Sequence, residues 1–211
     1  MKLLIDIQLF PCIDYLKKLI VCEHIKIEKY DFFKKMSFQN RYVISGVNNL
    51  INLTIPLAGG REQKTLLKEV LIDNSENWQI KHWRSLSSAY SKAPFFEFYS
   101  EDVKSLLFSK QEFLFSFNFN VLEWLFRILK MDAAIDFTES FINDYTDLAD
   151  YRNFFLPKSF QKNTSNWRPH YAQVFQDRRG FQPNLSILDL IFCEGPNARY
   201  LLNQAGNNNK Q

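Results

Sequence analysis

The stretch MKLLIDIQLFPCIDYLKKLIVCEHIKIE, residues 1–28, decides the fold. Residues 3–7 are almost wholly apolar and predict a buried strand. Pro11 stands where a helix favours its first residue, and apolar side chains follow at helical spacing over residues 12–21. Residues 25–28 belong to an alternating stretch that predicts a half-buried strand. Strand, helix and strand in this order predict a parallel βαβ unit with a right-handed crossover.

The rest of the chain supplies further strands and the helices that cover them. The predicted elements are, in chain order, strands at 41–45, 50–56 and 69–72, helices at 76–91, from Ser100 and at 109–130, a strand at 133–138, a loop at 139–168 with one helical turn near Asp150, a strand at 170–175, and helices at 186–194 and 196–204. The sequence therefore predicts an α/β fold: one domain over residues 1–205, with an N-terminal βαβ unit and a mixed sheet covered by helices. A disordered tail is expected at 206–211.

The longest predicted helix is the clearest source of a hydrophobic core. Ser109 and Glu112 have the spacing of a capping box, which places the start of this helix at Ser109. Apolar residues then recur along one stripe of the helix, and the stripe consists of Leu114, Phe117, Val121, Leu125 and Ile128. This face is expected to pack against the sheet.

Composition excludes several classes of protein. The 211 residues include 26 Lys and Arg and 23 Asp and Glu, a balance of +3 that is too small and too mixed for a nucleic-acid or membrane-surface binder. No apolar run approaches the ~18 residues of a membrane span. Cys12, Cys22 and Cys193 form no paired pattern, and buried reduced thiols indicate a reducing compartment. The N-terminal residues lack the apolar core of a signal peptide, so a cytoplasmic location is expected.

The short motifs of several enzyme classes are missing. Only six glycines are present, and neither a P-loop nor a dinucleotide fingerprint occurs. There is no Gly-x-Ser-x-Gly nucleophile motif, and the three histidines lie far apart in the sequence. No metal site is predicted, although a spatial cluster stays open, and the sequence identifies no cofactor.

The densest polar cluster is the basic loop, residues 34–41, between two predicted strands. Loops at strand ends are where α/β folds bind ligands, and Lys35 and Arg41 could hold a phosphate or carboxylate. Asn40 could orient a polar substrate. The alternative interpretation is a solvated loop without function.

Three side chains are candidates for proton transfer. Asp6 stands in an apolar strand, where a carboxylate must be paired or must line a cleft. His82 has an ordinary pKa near neutrality, which suits a general base, but a lone helical histidine is more often structural. Asp189 follows Asn184 and Ser186 at a helix start, where capping explains these polar groups and an anion site is the alternative.

Several motifs along the chain resemble one known family in their order. They are Leu9-Phe10-Pro11 with Tyr15, Lys35-Met36-Ser37-Phe38-Gln39-Asn40-Arg41, Leu53-Thr54-Ile55-Pro56, Trp78 with Lys81-His82-Trp83, Tyr90-Ser91-Lys92-Ala93-Pro94-Phe95-Phe96, Tyr171-Ala172-Gln173-Val174-Phe175, Phe181 to Leu190, and Glu194-Gly195-Pro196. The ordered set resembles the WbqC-like family of bacterial proteins, in its shorter form. Two places differ: Asp6-Ile7-Gln8 stands where many members have Gln-Pro-Tyr, and residues 139–168 replace a glycine-containing stretch of longer members.

The resemblance implies a cytoplasmic participant in glycan assembly. Genes of this family occur in surface-polysaccharide clusters, including O-antigen clusters, and a transferase role, even glycine transfer onto a sugar, has been suggested for it. The resemblance also strengthens the interpretation of Lys35, Asn40 and Arg41, and of the segment 184–189, as site residues.

Two hypotheses of different class follow. In the first, the protein is a transferase that takes a small-molecule substrate, a sugar nucleotide or an activated acyl donor. Lys35 and Arg41 would hold the donor, Asn40 would orient the acceptor, and Asp6, Asp189 or His82 would take a proton. In the second, it is a non-catalytic binding or assembly protein of the same pathway. For the site, we predict that Lys35, Asn40 and Arg41 share a cleft with Asn184, Ser186 or Asp189. The sequence leaves the oligomeric state open.

Overall fold

The N-terminal βαβ unit is confirmed. In the computed structural model, which describes residues 1–161 and 168–207, strand β1 (Lys2–Asp6) is followed by helix α1 (Ile13–Leu19) and strand β2 (His24–Glu28). The two strands are parallel, with Asp6 opposite Glu28. Residues 208–211 of the predicted tail lie outside the described residues.

Two later strands extend this parallel sheet on both sides. Strand β5 (Ala134–Phe137) pairs with β2, and strand β6 (Ala149–Asp150) pairs with β1, which gives the order β5-β2-β1-β6. The helical turn predicted near Asp150 is wrong, because this segment adds a strand to the sheet. The Tyr151 amide continues the pairing by donating to the carbonyl of Leu4 at 2.8 Å.

The second strand pair forms a separate antiparallel hairpin. Strands β3 (Arg41–Ser45) and β4 (Leu50–Thr54) pair with Arg41 opposite Thr54. The mixed α/β class is confirmed, with parallel and antiparallel pairings in two sheets of the described chain. Alternation on β4 buries Leu53 and exposes Asn52, as its period-two pattern predicts.

Helices cover the strands and, together with α1, supply about half of the core. They are α2 (Trp78–Tyr90), α3 (Phe96–Leu107), α4 (Leu114–Ile128), α5 (Gln176–Arg179), α6 (Ile187–Glu194) and α7 (Asn197–Asn207), with a 3-10 turn at Leu67–Glu69. The predicted positions of α2, α6 and α7 are confirmed to within a few residues. Helix α3 begins at Phe96 instead of Ser100.

The start of α4 corrects the prediction from the capping box at Ser109. The carbonyl of Glu112 accepts from the Ile72 amide, and the Leu114 amide donates to the carbonyl of Val70, each at 2.9 Å. This pairing with a distant segment keeps Phe113 extended, so the helix begins at Leu114. The predicted strand at 69–72 is reduced to these contacts and isolated bridges.

The apolar stripe of α4 lies in the core. Leu114, Phe117, Val121 and Leu125 are buried, while Ile128 is half-buried and packs against the same cluster. We expect Leu125→Ala to lower the free energy of unfolding by ~2–5 kcal/mol, because it removes buried methyl groups and leaves a cavity. Urea denaturation followed by tryptophan fluorescence measures this loss.

Glu123 is exposed on the same helix and provides the matched control. Glu123→Ala should change the free energy of unfolding by less than ~0.5 kcal/mol. If Leu125→Ala lowers the free energy of unfolding by as little as Glu123→Ala does, α4 does not pack as described.

No helix within residues 1–161 and 168–207 is long and apolar enough to cross a lipid bilayer. All three cysteines are buried and carry free thiols, as their unpaired pattern predicted.

Candidate functional site

The parallel sheet presents polar residues at the end where its strands finish, which we call the carboxyl edge. Asp6 ends β1, Glu28 ends β2, Thr138 follows β5 and Asp150 ends β6. Strand β1 is followed in the chain by β2, its neighbour on one side. Its neighbour on the other side is β6, the last strand of the described residues, so the strand order reverses between β1 and β6. Ligands of open parallel sheets bind beyond the carboxyl ends at such a reversal.

One half of the carboxyl edge is a closed ion-pair network. Arg152 donates to Glu28 Oε2 at 3.1 Å and to Asp150 Oδ2 at 2.6 Å. Glu28 Oε1 also accepts from the Thr138 hydroxyl at 2.8 Å and from the Tyr30 amide at 2.7 Å. Because these groups satisfy one another, this half joins the loops after β2, β5 and β6 and is structural.

The other half contains Asp6. Its side chain is 4% exposed, and Oδ1 accepts a hydrogen bond of 2.9 Å from the amide of Asn153. Oδ2 is buried and receives no hydrogen bond from the described residues. Burial raises the pKa of Asp6 from 3.8 to about 6, against smaller lowering effects of the Asn153 amide, the Gln8 side chain and the more distant charge of Lys34. A carboxylate with this pKa is suited to take a proton near neutral pH.

The basic loop crosses from this edge to the hairpin. The Leu9 amide donates to the carbonyl of Phe38 at 2.9 Å, which fixes the loop against the segment after β1. Lys34 lies 3.4 Å from Asp31 and is close enough to Asp6 and Asp150 to lower the pKa of both. Lys34 was not among the site residues predicted from the sequence.

The three predicted residues of this loop have different surroundings. Lys35 forms an exposed ion pair with Glu62. Asn40 is buried and donates to the carbonyl of Ile55 at 2.9 Å, so its amide holds the loop to the end of β4. Arg41 is half-buried, and its Nη1 lies 3.7 Å from the Met36 sulfur.

Arg41 has an unusual electrostatic environment for a partly buried cation. Its Nε is buried without a hydrogen-bond acceptor among the described residues. Burial lowers the pKa of Arg41, and the like charge of Arg61 lowers it further. Two guanidinium groups that repel each other in this way are attractive to an anion.

Asn184 and Ser186 use their side chains to hold the start of α6 in place. Asn184 Oδ1 accepts from the Asp14 amide at 2.8 Å, and the Ser186 hydroxyl donates to the carbonyl of Phe10 at 2.9 Å. Ser186 also caps α6, as predicted, and its amide donates to the carbonyl of Val43 at 2.8 Å. The segments 38–43 and 184–186 therefore meet, along a crevice of about 160 Å³ that is too narrow for water. A cleft shared by their polar side chains stays a prediction.

Asp189 lies in the interior instead of lining a cleft. Its carboxylate accepts from Tyr90 Oη at 2.8 Å, Tyr171 Oη at 2.5 Å and Gln173 Nε2 at 2.8 Å. Burial raises the pKa of Asp189, and the three donors oppose this shift. The strand predicted at 170–175 is wrong, because the backbone of these residues joins no sheet. Tyr171 and Gln173 of this segment instead direct their side chains inward to Asp189.

His82 is likewise buried, between α2 and the hairpin. Its Nδ1 lies 3.3 Å from Tyr42 Oη and its Nε2 lies 3.2 Å from the carbonyl oxygen of Thr54. Burial lowers the pKa of His82 to about 4, so the ring is neutral at neutral pH. With both nitrogens engaged, the geometry favours a structural role.

Two residues beside Asp6 were missed by the sequence analysis. Gln8 is two residues after Asp6, and its amide donates to the carbonyl of Phe155 at 3.0 Å. The two-residue spacing on an extended chain could have indicated that Gln8 accompanies Asp6. Asn153 lies in an irregular segment, where no periodicity indicates its position.

Other parts of the described chain offer fewer features of a reaction site. Among residues 1–161 and 168–207, no group of three or more His, Cys, Asp or Glu side chains is arranged to hold a metal ion. An open surface groove of about 420 Å³ lies between α3 and α4 and includes Asp102, Trp124 and Arg127. Its Asp102 carboxylate already accepts from the Trp124 indole at 2.9 Å.

Comparison with known proteins gives one result. A family model, described as the WbqC-like protein family, matches residues 8–200 of the chain. No curated protein and no solved structure matches it. The match includes the basic loop, Gln8 and Asn153, whereas Asp6 lies just before it.

Proposed function

The chain belongs to the WbqC-like protein family, and we propose that it is a transferase that moves an acyl, aminoacyl or glycosyl group to a sugar in bacterial surface-polysaccharide assembly of the O-antigen type. The observation that carries the proposal is Asp6, a buried carboxyl with a pKa of about 6 at the carboxyl end of β1, beside the strand-order reversal. A group of this kind at this position suits general-base catalysis.

The proposed chemistry needs one base and one anion site. Asp6 takes a proton from an N–H or O–H group of the acceptor, and the acceptor atom forms a bond to the electrophilic carbon of the donor. The bond from that carbon to the leaving group breaks, and the leaving group keeps the electron pair. Asp6 then returns its proton to the leaving group or to solvent.

Arg41 and Arg61 are the groups best suited to the donor. Burial and, to a smaller extent, the like charge of Arg61 lower the pKa of Arg41, and a phosphate or carboxylate bound beside Arg41 would oppose both effects. Glu62 is exposed and pairs with both Lys35 and Arg61, so the donor would take the place of Glu62 at both cations. We assign Asp189 and His82 structural roles, because their polar atoms already have partners.

A binding or assembly protein of the same pathway is the second candidate. The lack of a recognised nucleophile or metal-binding motif in the sequence favours it. The two candidates share the binding site and differ in whether product forms.

A ligand screen followed by a product assay tests the proposal. The probes are uridine diphosphate sugars, acetyl-coenzyme A and an aminoacyl-adenylate analogue, each measured by thermal unfolding. A donor at 100 times its Kd should stabilise the protein by ~2.7 kcal/mol. Mass spectrometry of mixtures of that donor with sugars then separates a transferase, which forms product, from a binder, which does not. No shift with any probe would contradict both candidates.

Arg41→Ala should remove the thermal shift caused by the donor while changing the melting temperature of the unliganded protein little. The physical reason is that Arg41 Nε has no acceptor among the described residues and that the other contact of the guanidinium is a weak one, from Nη1 to the Met36 sulfur. Arg84→Ala, an exposed arginine of α2, is the control and should keep the full shift. Loss of stability with an unchanged ligand shift would show instead that Arg41 serves only the fold.

A further inference from the structure

Three buried oxygen atoms around the end of β1 lack hydrogen-bond donors among the described residues. They are Asp6 Oδ2, Gln8 Oε1 and Asn153 Oδ1. Their residues are neighbours: the Asn153 amide donates to Asp6 Oδ1 at 2.9 Å, and Gln8 follows Asp6 two residues later in the chain. We call these three residues the acceptor cluster.

The orientation of the Gln8 amide is fixed. Its Nε2 donates to the carbonyl of Phe155 at 3.0 Å, two residues beyond Asn153. The nitrogen is therefore used, and the atom that remains without a partner is the oxygen. Gln8 is 2% exposed and Asp6 is 4% exposed, so bulk water does not readily satisfy either atom.

Charges nearby are already paired, apart from Asp6. Arg152 is held by Glu28 and Asp150, and Lys34 lies 3.4 Å from Asp31. Within the described chain, Asp6 forms no ion pair, and Lys34 attracts it only from a distance. Among the described residues, the acceptor cluster thus offers several acceptors and one negative charge that forms no ion pair.

The group complementary to this cluster has several donors, no acceptor and a positive charge. An ammonium group has all three properties, since it carries three N–H donors and no lone pair. A hydroxyl group has one donor and two lone pairs, which would face further oxygens. The cluster therefore favours an amine over an alcohol.

We propose that the acceptor cluster binds a primary amine of the substrate as its ammonium ion, with Asp6 Oδ2, Gln8 Oε1 and Asn153 Oδ1 as the receiving atoms. This inference rests on the proposed function and names its acceptor class: an amine-bearing compound such as an amino sugar. Asp6 then takes one proton from the ammonium, which frees the nitrogen lone pair to form the new bond, and the nitrogen loses a second proton to the departing leaving group. The atom acylated or glycosylated is therefore nitrogen.

Binding of glucosamine, glucose and N-acetylglucosamine to the full chain tests the inference at about pH 7. Calorimetric titration up to the solubility limit should show binding of glucosamine at least tenfold tighter than that of the two neutral sugars. Asp6→Asn should remove this preference. Asp132→Asn, an exposed residue before β5 at the opposite edge of the sheet, should keep it.

A second readout does not depend on comparing variants. In carbon-13 NMR, saturating glucosamine should lower the pKa of Asp6 from about 6, because an adjacent cation favours the carboxylate, while glucose should leave it unchanged. Equal binding of all three sugars, or binding of none, would overturn the amine inference. The thermal shift that the donor causes through Arg41 is measured separately. If the donor causes no such shift, the proposed function itself has failed.

Discussion

Replacing Asp189 with alanine is expected to lower the free energy of unfolding by about 3–9 kcal/mol. The substitution leaves three buried donors, from Tyr90, Tyr171 and Gln173, without their acceptor, and each costs roughly 1–3 kcal/mol. Since a domain has a total stability of only about 5–15 kcal/mol, this variant should be close to unfolding at room temperature. Urea denaturation followed by circular dichroism measures the loss.

Two further variants make this prediction specific. Asp177→Ala, in the exposed first turn of α5, should change stability by less than ~0.5 kcal/mol. Asp189→Asn keeps the volume and one acceptor oxygen, so it should fold with an intermediate loss and retain donor shifts per folded molecule. If Asp189→Ala lowers the free energy of unfolding by less than ~1 kcal/mol, the structural role of the network is contradicted. If Asp189→Asn folds but the donor no longer raises its melting temperature, Asp189 belongs to the functional site.

Asp6→Asn is expected to stabilise the protein while removing its activity. Burial raises the pKa of Asp6 from 3.8 to about 6, so ionisation in the folded state costs up to ~3 kcal/mol above pH 6. Asparagine has no charge, and its amide can donate to Gln8 Oε1 or Asn153 Oδ1. At about pH 7 the melting temperature should rise by roughly 6–12 °C, and transfer by a general base should fall by ~10²–10⁴-fold.

The pH dependence identifies the carboxyl group. The folded state binds the Asp6 proton more tightly than the unfolded state, so this group's contribution to stability is retained below about pH 4 and is lost as pH rises to about 6. The difference between wild type and Asp6→Asn isolates this contribution from that of nearby Lys34, Tyr15 and the Arg152 network. The difference should therefore be small near pH 4 and reach its full size above pH 6. A variant that is less stable than wild type at every pH would show that the Asp6 charge is well satisfied.

The sequence predicts best what depends on local pattern. The βαβ unit follows from short-range periodicity and Pro11, and the Ser186 cap follows from local backbone chemistry. Asp6 is marked by its position in an apolar strand, and the topology then places it at the carboxyl edge. These features depend on residues that are close in the chain.

Features that depend on distant partners could not be predicted. Asp189 has the spacing of a capping box with Ser186, yet its donor Tyr90 is 99 residues away. The start of α4 shifts because residues 112–114 pair with residues 70–72. Asn153 joins Asp6 across 147 residues from a segment without periodicity. In each case a tertiary contact outweighs the local pattern.

The most direct test of the site is chemical-shift mapping of the full chain with the ligand that gives the largest thermal shift. If the site lies around Asp6, the largest amide changes should occur at Gln8, Lys34 and Asn153, and they should disappear in Asp6→Asn. The indole signal of Trp124, in the groove between α3 and α4, should stay unchanged. Changes that centre on Trp124 and leave Gln8 and Asn153 unaffected would contradict the assignment of the functional site to the carboxyl edge.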